Sequence, residues 1–328
     1  MKHFDHIKGQ NIPKTRLIES IQSGAKGKEM LSPLLLAEAG KGKTALTNAY
    51  LDGMREIGAD VLSFQTPAEL RSKGGSFSSF IQCIMESPKY CISFDEAHEI
   101  NGSAGQAPTV QLAQIRQFLM KALDKTNQNK AIRLNDEMVV DFNRTRGSII
   151  LATNFPHLLD KSGAFQSRCD TIILDDYTDD ELVEILQGML RNAGFQAACD
   201  QTLKLISKCG RGTARPLEKI IDQLRITANA NDGKKTINRD DVKTALKMCK
   251  YYPLGLQDWE VNILKRTQLP IRDNVLQSIL PNVEKATFNK CKGYLIGKGL
   301  AVQTTQGIQR SDKGERYLKE VKAAGFNV

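Results

Sequence analysis

The sequence predicts an α/β domain built on a mostly parallel sheet, then a small all-helical domain, then a C-terminal module of helices and one β-hairpin. Three observations predict it. Between Leu31 and about Asp175, apolar runs at Leu34–Ala37, Val61–Phe64, Tyr90–Asp95, Ile149–Thr153 and Thr171–Leu174 alternate with helically spaced segments. Such alternation is the mark of parallel strands joined by crossover helices. From 176 to 250 four helical stretches follow one another: Asp179–Asn192, Asp200–Cys209, Ala214–Asn231 and Arg239–Cys249. Asp179 and Asn238 are read as their N-caps, Gly194 and Gly210 as their stops. After Tyr251-Tyr252-Pro253-Leu254-Gly255, which reads as a linker, residues 256–328 give three helices and a short strand pair around Gly307. The expected domains are 1–175, 176–250 and 254–328.

The bulk properties agree with this and narrow the partners. A composition of 41% hydrophobic and 25% charged residues over 328 positions is that of a soluble globular chain. The net charge of +9 leans toward a polyanionic partner. None of the seven cysteines forms C-x-x-C, so neither a disulfide framework nor a zinc site is indicated. Several cysteines sit in apolar runs and read as small core residues in a reducing compartment. Residues 1–8 carry no apolar h-region, and no run of 18 apolar residues occurs, so the expected location is cytoplasmic, with no membrane partner.

Taken in order, the elements carry a connected chemistry. Phe4-Asp5-His6-Ile7-Lys8-Gly9-Gln10 precedes a helix from Ile12 to Ser23. The strand Leu34–Ala37 then runs into Glu38-Ala39-Gly40-Lys41-Gly42-Lys43-Thr44 and a helix from Ala45 to Ile57. Strand, glycine-bearing loop and helix opening on Lys-Thr form a P-loop. Backbone N–H groups from Gly40, Lys41, Gly42, Lys43, Thr44 and Ala45 would cradle the phosphates of ATP, helped by the helix dipole. Lys43 would reach the β- and γ-phosphates, and the Thr44 hydroxyl would ligate Mg²⁺. The spacing G-x-x-x-x-G-K-[ST] expects glycine where Ala37 stands, which is tolerable only if the φ of Ala37 is negative.

Cys91-Ile92-Ser93-Phe94-Asp95-Glu96 is an apolar strand ending in two acids, a Walker B pattern. Asp95 would hold Mg²⁺ through its water shell and Glu96 would polarise the attacking water. Asp95-Glu96-Ala97-His98 also spells the box of a helicase family, but no other motif of that family accompanies it. Ile149–Thr153 ends at Asn154, which fits either a sensor of the γ-phosphate or a turn former before Phe155-Pro156. Arg168 fits an arginine finger supplied to a neighbouring subunit, a device that contributes roughly 10³–10⁵ in rate. Arg215, at the start of a helix in the second domain, fits a second sensor coupling that domain to the nucleotide. Taken singly, either arginine reads as a surface residue; the order of all five motifs is that of an AAA+ ATPase.

The resemblance narrows further. Residues 4–10 resemble the "FDEYIGQ" box of the RuvB family, the hexameric motors of Holliday junction branch migration, in which this box, with Ile7 here, lies against the adenine. Asp95-Glu96-Ala97-His98 is similar to the family's "DEIH", Arg211-Gly212-Thr213-Ala214-Arg215 to "RGTPR", and Tyr294-Leu295-Ile296-Gly297-Lys298-Gly299-Leu300 to "PYLIQQGF". The resemblance spans nearly the whole chain. It implies an AAA+ P-loop domain, a helical lid and a C-terminal winged helix, a homo-oligomeric ring, and ATP-driven translocation of duplex or branched DNA with a RuvA-like adaptor. The chain departs from the family at Ala37 for glycine, at Asn154 for threonine, at an insertion over 101–108, and in the hairpin 131–142, which lacks the Gly-Pro-Ala tip used for docking RuvA. Thr304-Thr305-Gln306-Gly307-Ile308 replaces the wing sequence "TPRGR" and drops a DNA-contacting arginine. These departures fit a distant relative, of the kind carried by a phage or mobile element.

Segment 254–328 holds 12 Lys/Arg against 7 Asp/Glu, a net of +5. Lys285, Lys290, Lys292 and Arg310 are the candidate contacts to DNA phosphates, from a helix and the wing beside it. A protein-binding winged helix with a solvated basic face reads the same way. Two functions stay open at this level: a DNA-translocating ring motor, or an AAA+ loader that places another protein on DNA. The altered hairpin keeps the second open.

Overall fold

In the computed structural model, which describes residues 1–66, 69, 77–101, 110–124, 131–133, 139–142, 146–159, 163–230, 235–280 and 282–326, a 3₁₀ turn at Lys2–Phe4 leads into helix α1 (Asn11–Ala25). There follow β1 (Pro33–Leu36), α2 (Lys43–Glu56), β2 (Asp60–Phe64), α3 (Phe77–Glu86), β3 (Tyr90–Phe94) and α4 (Val110–Ala122). A hairpin of β4 (Ala131–Arg133) and β5 (Val139–Asp141) precedes β6 (Gly147–Thr153), the short helices α5 (Pro156–Leu159) and α6 (Ala164–Arg168), and β7 (Asp170–Ile173). The tip of that hairpin, with Asn135, lies outside the described residues, as does most of the 101–108 insertion.

The five strands predicted from apolar runs pair into one parallel sheet, in the order β2-β3-β6-β1-β7. Their side chains alternate between two cores. Leu34, Ile92, Ile149 and Leu151 enter one core with Phe94, Phe118 and Phe165; Leu35, Cys91, Ile150 and Ala152 enter the other with Leu46, Tyr50 and Met54. Helices cover both faces, so the strands read as continuous apolar runs, not as alternating ones. Each fully buried leucine of β1 stabilises this arrangement by about 2 kcal/mol. At the amino end of β6 the Tyr50 hydroxyl donates to Ser148 Oγ (2.9 Å), and Ser148 Oγ donates to the Leu31 carbonyl (2.7 Å), which ties α2 and the entry to β1 to the central strand.

The chain forms two compact units, Met1–Glu181 and Leu182–Val328. Helix α7 (Asp179–Asn192) begins at this division. Its cap is Thr178, one residue before the expected Asp179: the Glu181 N–H donates to Thr178 Oγ1 (3.2 Å) and the Thr178 N–H to Glu181 Oε2 (2.8 Å). The reciprocal capping box selects threonine because its short hydroxyl reaches the third N–H while glutamate reaches back. Then come β8 (Gln196–Ala197), α8 (Asp200–Ser207), α9 (Arg215–Ala230), β9 (Thr236–Ile237) and α10 (Arg239–Met248), the two short strands pairing in parallel. Asn238 caps α10 as the sequence predicts, in a capping box with Asp241.

Residues 251–255 form a packed corner where the sequence suggests a linker. Tyr251 and Tyr252 are buried, the Tyr252 N–H donates to the Leu256 carbonyl (2.8 Å), and the hydroxyls of Tyr294 and Tyr317 donate to the carbonyls of Leu254 (2.9 Å) and Pro253 (2.6 Å). Beside it, Arg211 Nη1 donates to both carboxylate oxygens of buried Glu260 (2.8 Å each), and its guanidinium lies 3.9 Å above the Tyr294 ring.

The last helices are α11 (Asp258–Arg266), α12 (Asp273–Ser278) and α13 (Lys285–Gly297), followed by the hairpin β10 (Ala301–Thr304) and β11 (Gly307–Arg310). A fourth helix, α14 (Asp312–Ala323), capped by Ser311, closes the module; three helices were expected. Helices followed by a β-hairpin make the winged-helix arrangement. Gly307 has φ +135°, and a Cβ there would stand 2.1 Å from the Ile271 carbonyl oxygen, because Ile271 bridges to Ile308 as a third edge of the wing. Among the described residues no helix is long and apolar enough to cross a membrane.

The Arg211–Glu260 pair generates a stability prediction. Arg211→Ala leaves a carboxylate buried without its cation, a change that costs about 3 kcal/mol when one partner stays partly solvated, as Arg211 does. Urea unfolding of the full chain should show a lower midpoint for the second unit. An unchanged midpoint would mean that water replaces the guanidinium at no cost.

Candidate nucleotide site

The sheet order brings the three motifs together. The loop from 37 to 42 leaves the carboxyl end of β1, Asp95-Glu96 follows β3, and Asn154 follows β6, which lies between them. Register places Leu36 beside Thr153 and Phe94 beside Leu151, so all three exits open on one edge, where ligands of parallel sheets bind.

Lys43 is the hub. It is buried, with 7% of its surface exposed, and its Nζ donates to the carbonyls of Ala37 (2.9 Å) and Glu38 (3.1 Å) and to Asn154 Oδ1. Asn154 Nδ2 donates in turn to Glu96 Oε1 (3.2 Å). A continuous line therefore runs from the P-loop lysine through Asn154 to the Walker B glutamate. Burial lowers the Lys43 pKa, and the carboxylates of Asp95 and Glu96 oppose that shift. Thr44 Oγ1 donates to Asp95 Oδ2 (3.2 Å), which pairs a hydroxyl with a carboxylate, the hard oxygen donors a Mg²⁺ site uses. Helix α2 starts at Lys43 with Gly42 as its N-cap and no side-chain capping bond, so its first turn presents free N–H donors of the kind that bind phosphate. Gly40 and Gly42 take φ +83° and +90°, while Ala37 is not among the positive-φ residues and so meets the condition its side chain imposes. These donors fit a nucleotide with Mg²⁺.

The comparisons agree with the geometry. Residues 33–177 match the family model of the ATPase family associated with various cellular activities (AAA). This stretch is an AAA ATPase domain. Among solved structures, a variant of RuvB from Thermotoga maritima superposes with a TM-score of 0.65 at 21% identity, covering 95% of this chain and 96% of that one. The Thermotoga maritima RuvB Holliday junction branch migration motor superposes with a TM-score of 0.62 at 21% identity, covering 95% of each chain. The whole chain thus has a RuvB-like fold. No curated protein sequence matches it.

Around the AAA site the remaining expected residues fall in distinct places. Ala45 is exposed in the first turn of α2. Lys41 pairs through Nζ with Asp176 (2.7 Å), so only its backbone is available to phosphate. Ile7 is buried with Phe4 in the α2-side core, and its carbonyl accepts from Lys14 Nζ (2.9 Å). Arg168 ends α6, two residues before Asp170, which registers with Pro33 at the amino end of β1. It therefore stands at the opposite end of the sheet from its own P-loop, donating to the Ala164 carbonyl (3.0 Å) with its Nη2 3.5 Å from Asp124. Arg215 is exposed in the first turn of α9, on the second unit.

In the winged helix, Lys285 and Lys290 are exposed on α13. Lys292 pairs with Asp273 (2.5 Å). Arg310 pairs its guanidinium with Glu315 and donates to the Leu264 carbonyl (3.2 Å), with 10% of the side chain exposed.

Sequence reading missed three residues that shape the site. The Tyr177 hydroxyl donates to the Lys41 carbonyl (3.1 Å), and Gln10 Nε2 donates to the Asp175 carbonyl (2.8 Å) and reaches the Lys41 carbonyl at 3.5 Å, so both brace the loop. His98 Nδ1 lies 3.1 Å from Thr153 Oγ1. Tyr177 carried no local signal, because its role comes from packing across 136 positions of sequence. A Cβ on Gly42 would stand 2.5 Å from the Tyr177 hydroxyl. Gly42→Ala should therefore weaken binding of a fluorescent ATP analogue by about tenfold or more, since both the φ and the brace are lost. Affinity equal to wild type would show that the loop tolerates the strain.

Proposed function

We propose that the protein is an ATP-hydrolysing ring motor, a hexamer by its RuvB likeness, that moves duplex DNA and drives branch migration of Holliday junctions or related branched DNA. The observation that carries it is the line Lys43–Asn154–Glu96, set in a chain whose whole length follows the fold of a branch-migration motor. Lys43 binds the β- and γ-phosphates. Asn154 holds the γ-phosphate side of the site in register with Glu96, which takes a proton from the attacking water. Thr44 directly, and Asp95 through water, would hold Mg²⁺, which neutralises charge on the phosphate oxygens.

Arg168 supports assembly. Its place at the far end of the sheet keeps it from its own P-loop and suits it to a neighbour's, as an arginine finger. Arg215 would read the nucleotide from the helical lid of 176–250. The winged helix of 254–328 would anchor duplex DNA through Lys285 and Lys290 with Lys292 beside them, phosphate contacts being what a motor indifferent to sequence needs. A RuvA-like adaptor, or another partner, would dock on the AAA domain. The setting is cytoplasmic.

Four outcomes test this. Glu96→Gln should bind ATP and fail to turn it over; equal turnover in the two proteins would sink the assignment. Arg168→Ala and Lys43→Ala should each be inactive, and mixing them should restore some hydrolysis, since a mixed interface pairs an intact P-loop with an intact finger. Full activity in a demonstrably monomeric preparation would rule assembly out. Lys290→Ala should weaken duplex binding about equally on all sequences and lower the salt slope by about one unit. A synthetic four-way junction separates motor from loader: ATP-dependent conversion to duplex products is expected, and none would leave the loader.

A further inference from the structure

We propose that His98 is a positioning residue for Glu96, flanking its second carboxylate oxygen and tying the loop after β3 to the end of β6 in the arrangement that hydrolysis requires. The inference rests on the ATPase reading above and concerns a residue to which that reading gives no role.

Glu96 is held at one oxygen only. Its Oε1 accepts from Asn154 Nδ2 (3.2 Å), while Oε2 is buried with no hydrogen-bond partner. The backbone at Glu96 is left-handed, with φ +44°, a conformation that costs a side-chain-bearing residue energy and persists only where surroundings fix it. His98 Nδ1 lies 3.4 Å from the orphaned oxygen without forming a hydrogen bond to it. His98 is two residues on, in the 3₁₀ turn Ala97–Asn101, with 15% of its side chain exposed. Its ring packs edge-on against Phe155, centroids 5.0 Å apart.

The same nitrogen lies 3.1 Å from the hydroxyl of fully buried Thr153, the last residue of β6. Thr153 Oγ1 already accepts from the Phe155 N–H (3.0 Å). The Thr153 contact is compatible with either tautomer, and the neighbouring carboxylate favours one of them. With the proton on Nδ1, His98 donates to Thr153 and turns a positive hydrogen toward Glu96 Oε2. With the proton on the other nitrogen, a lone pair would face the carboxylate. The first arrangement leaves no repulsion. His98 thus joins the loop carrying the base to the strand carrying Asn154, and flanks the one oxygen Asn154 does not hold.

A general base must lie within hydrogen-bond reach of its proton, and a misplacement of about 1 Å costs roughly 10²-fold. Losing His98 should therefore lower turnover without lowering affinity. The test uses the full chain with His98→Ala, His98→Asn and His98→Gln, read by steady-state ATPase, titration of a fluorescent ATP analogue, and thermal unfolding. His98→Ala should lower kcat by about ten- to a hundredfold, with KM and Kd within about twofold of wild type. His98→Asn should recover most of kcat, because its amide N–H sits as many bonds from Cα as Nδ1 does. His98→Gln, whose amide sits one bond further out, should recover less. Adding His98→Ala to Glu96→Gln should change the residual rate no further.

An unchanged kcat in His98→Ala overturns the inference. So does a loss expressed in KM, or equal impairment of Asn and Gln variants, since any of these makes His98 a packing or binding residue. If His98→Ala does not fold, the Asn-against-Gln comparison decides. Retained turnover in Glu96→Gln would overturn the role of Glu96 itself, and is distinguishable because it does not depend on any His98 variant.

Discussion

The structure depends on where β6 sits. In a parallel sheet the exits of neighbouring strands lie about 5 Å apart, so three loops can share one small volume only if their strands are adjacent. Seating β6 between β3 and β1 puts Asn154 between Lys43 and Glu96, though it comes last of the three in the chain. The placement is enforced from both ends. Leucine and isoleucine side chains fix its faces in two separate cores, and the Tyr50–Ser148–Leu31 hydrogen bonds fix its amino end. A one-residue slip of β6 would exchange its two faces and carry Asn154 off the lysine.

Much of this was legible in the sequence. The central strands β3 and β6 are runs of residues buried on both faces, and that burial is what makes the runs continuous. The P-loop and the two acids after Tyr90–Phe94 are local patterns whose meaning needs no tertiary knowledge. The errors have one cause. Asp179 and Thr178 are both competent caps, and only the reach of Glu181 back to the Thr178 N–H decides between them. Helix α14 begins directly after β11, and its cap Ser311 is a residue type that also forms turns. Tyr177, Gln10 and His98 act through partners distant in sequence or through a tautomer, neither of which a linear pattern carries.

Charge shows the same limit. Arg310 stands on the wing where a phosphate contact would be useful, yet Glu315, five residues on, has taken its guanidinium. Lys292 has Asp273, and Lys41 has Asp176. Sequence counts charges without saying which are already spent. Lys285 and Lys290 are exposed on α13, so part of the positive charge of the chain faces solvent there.

The corner at Tyr251–Gly255 has a mechanical meaning. Its joints are buried tyrosine rings, two hydroxyls seated on carbonyls, and a guanidinium clasped between Glu260 and Tyr294. A swivel there would have to unseat both hydroxyls and leave the Glu260 carboxylate buried without its cation, so the cost of bending the chain is concentrated at this one corner.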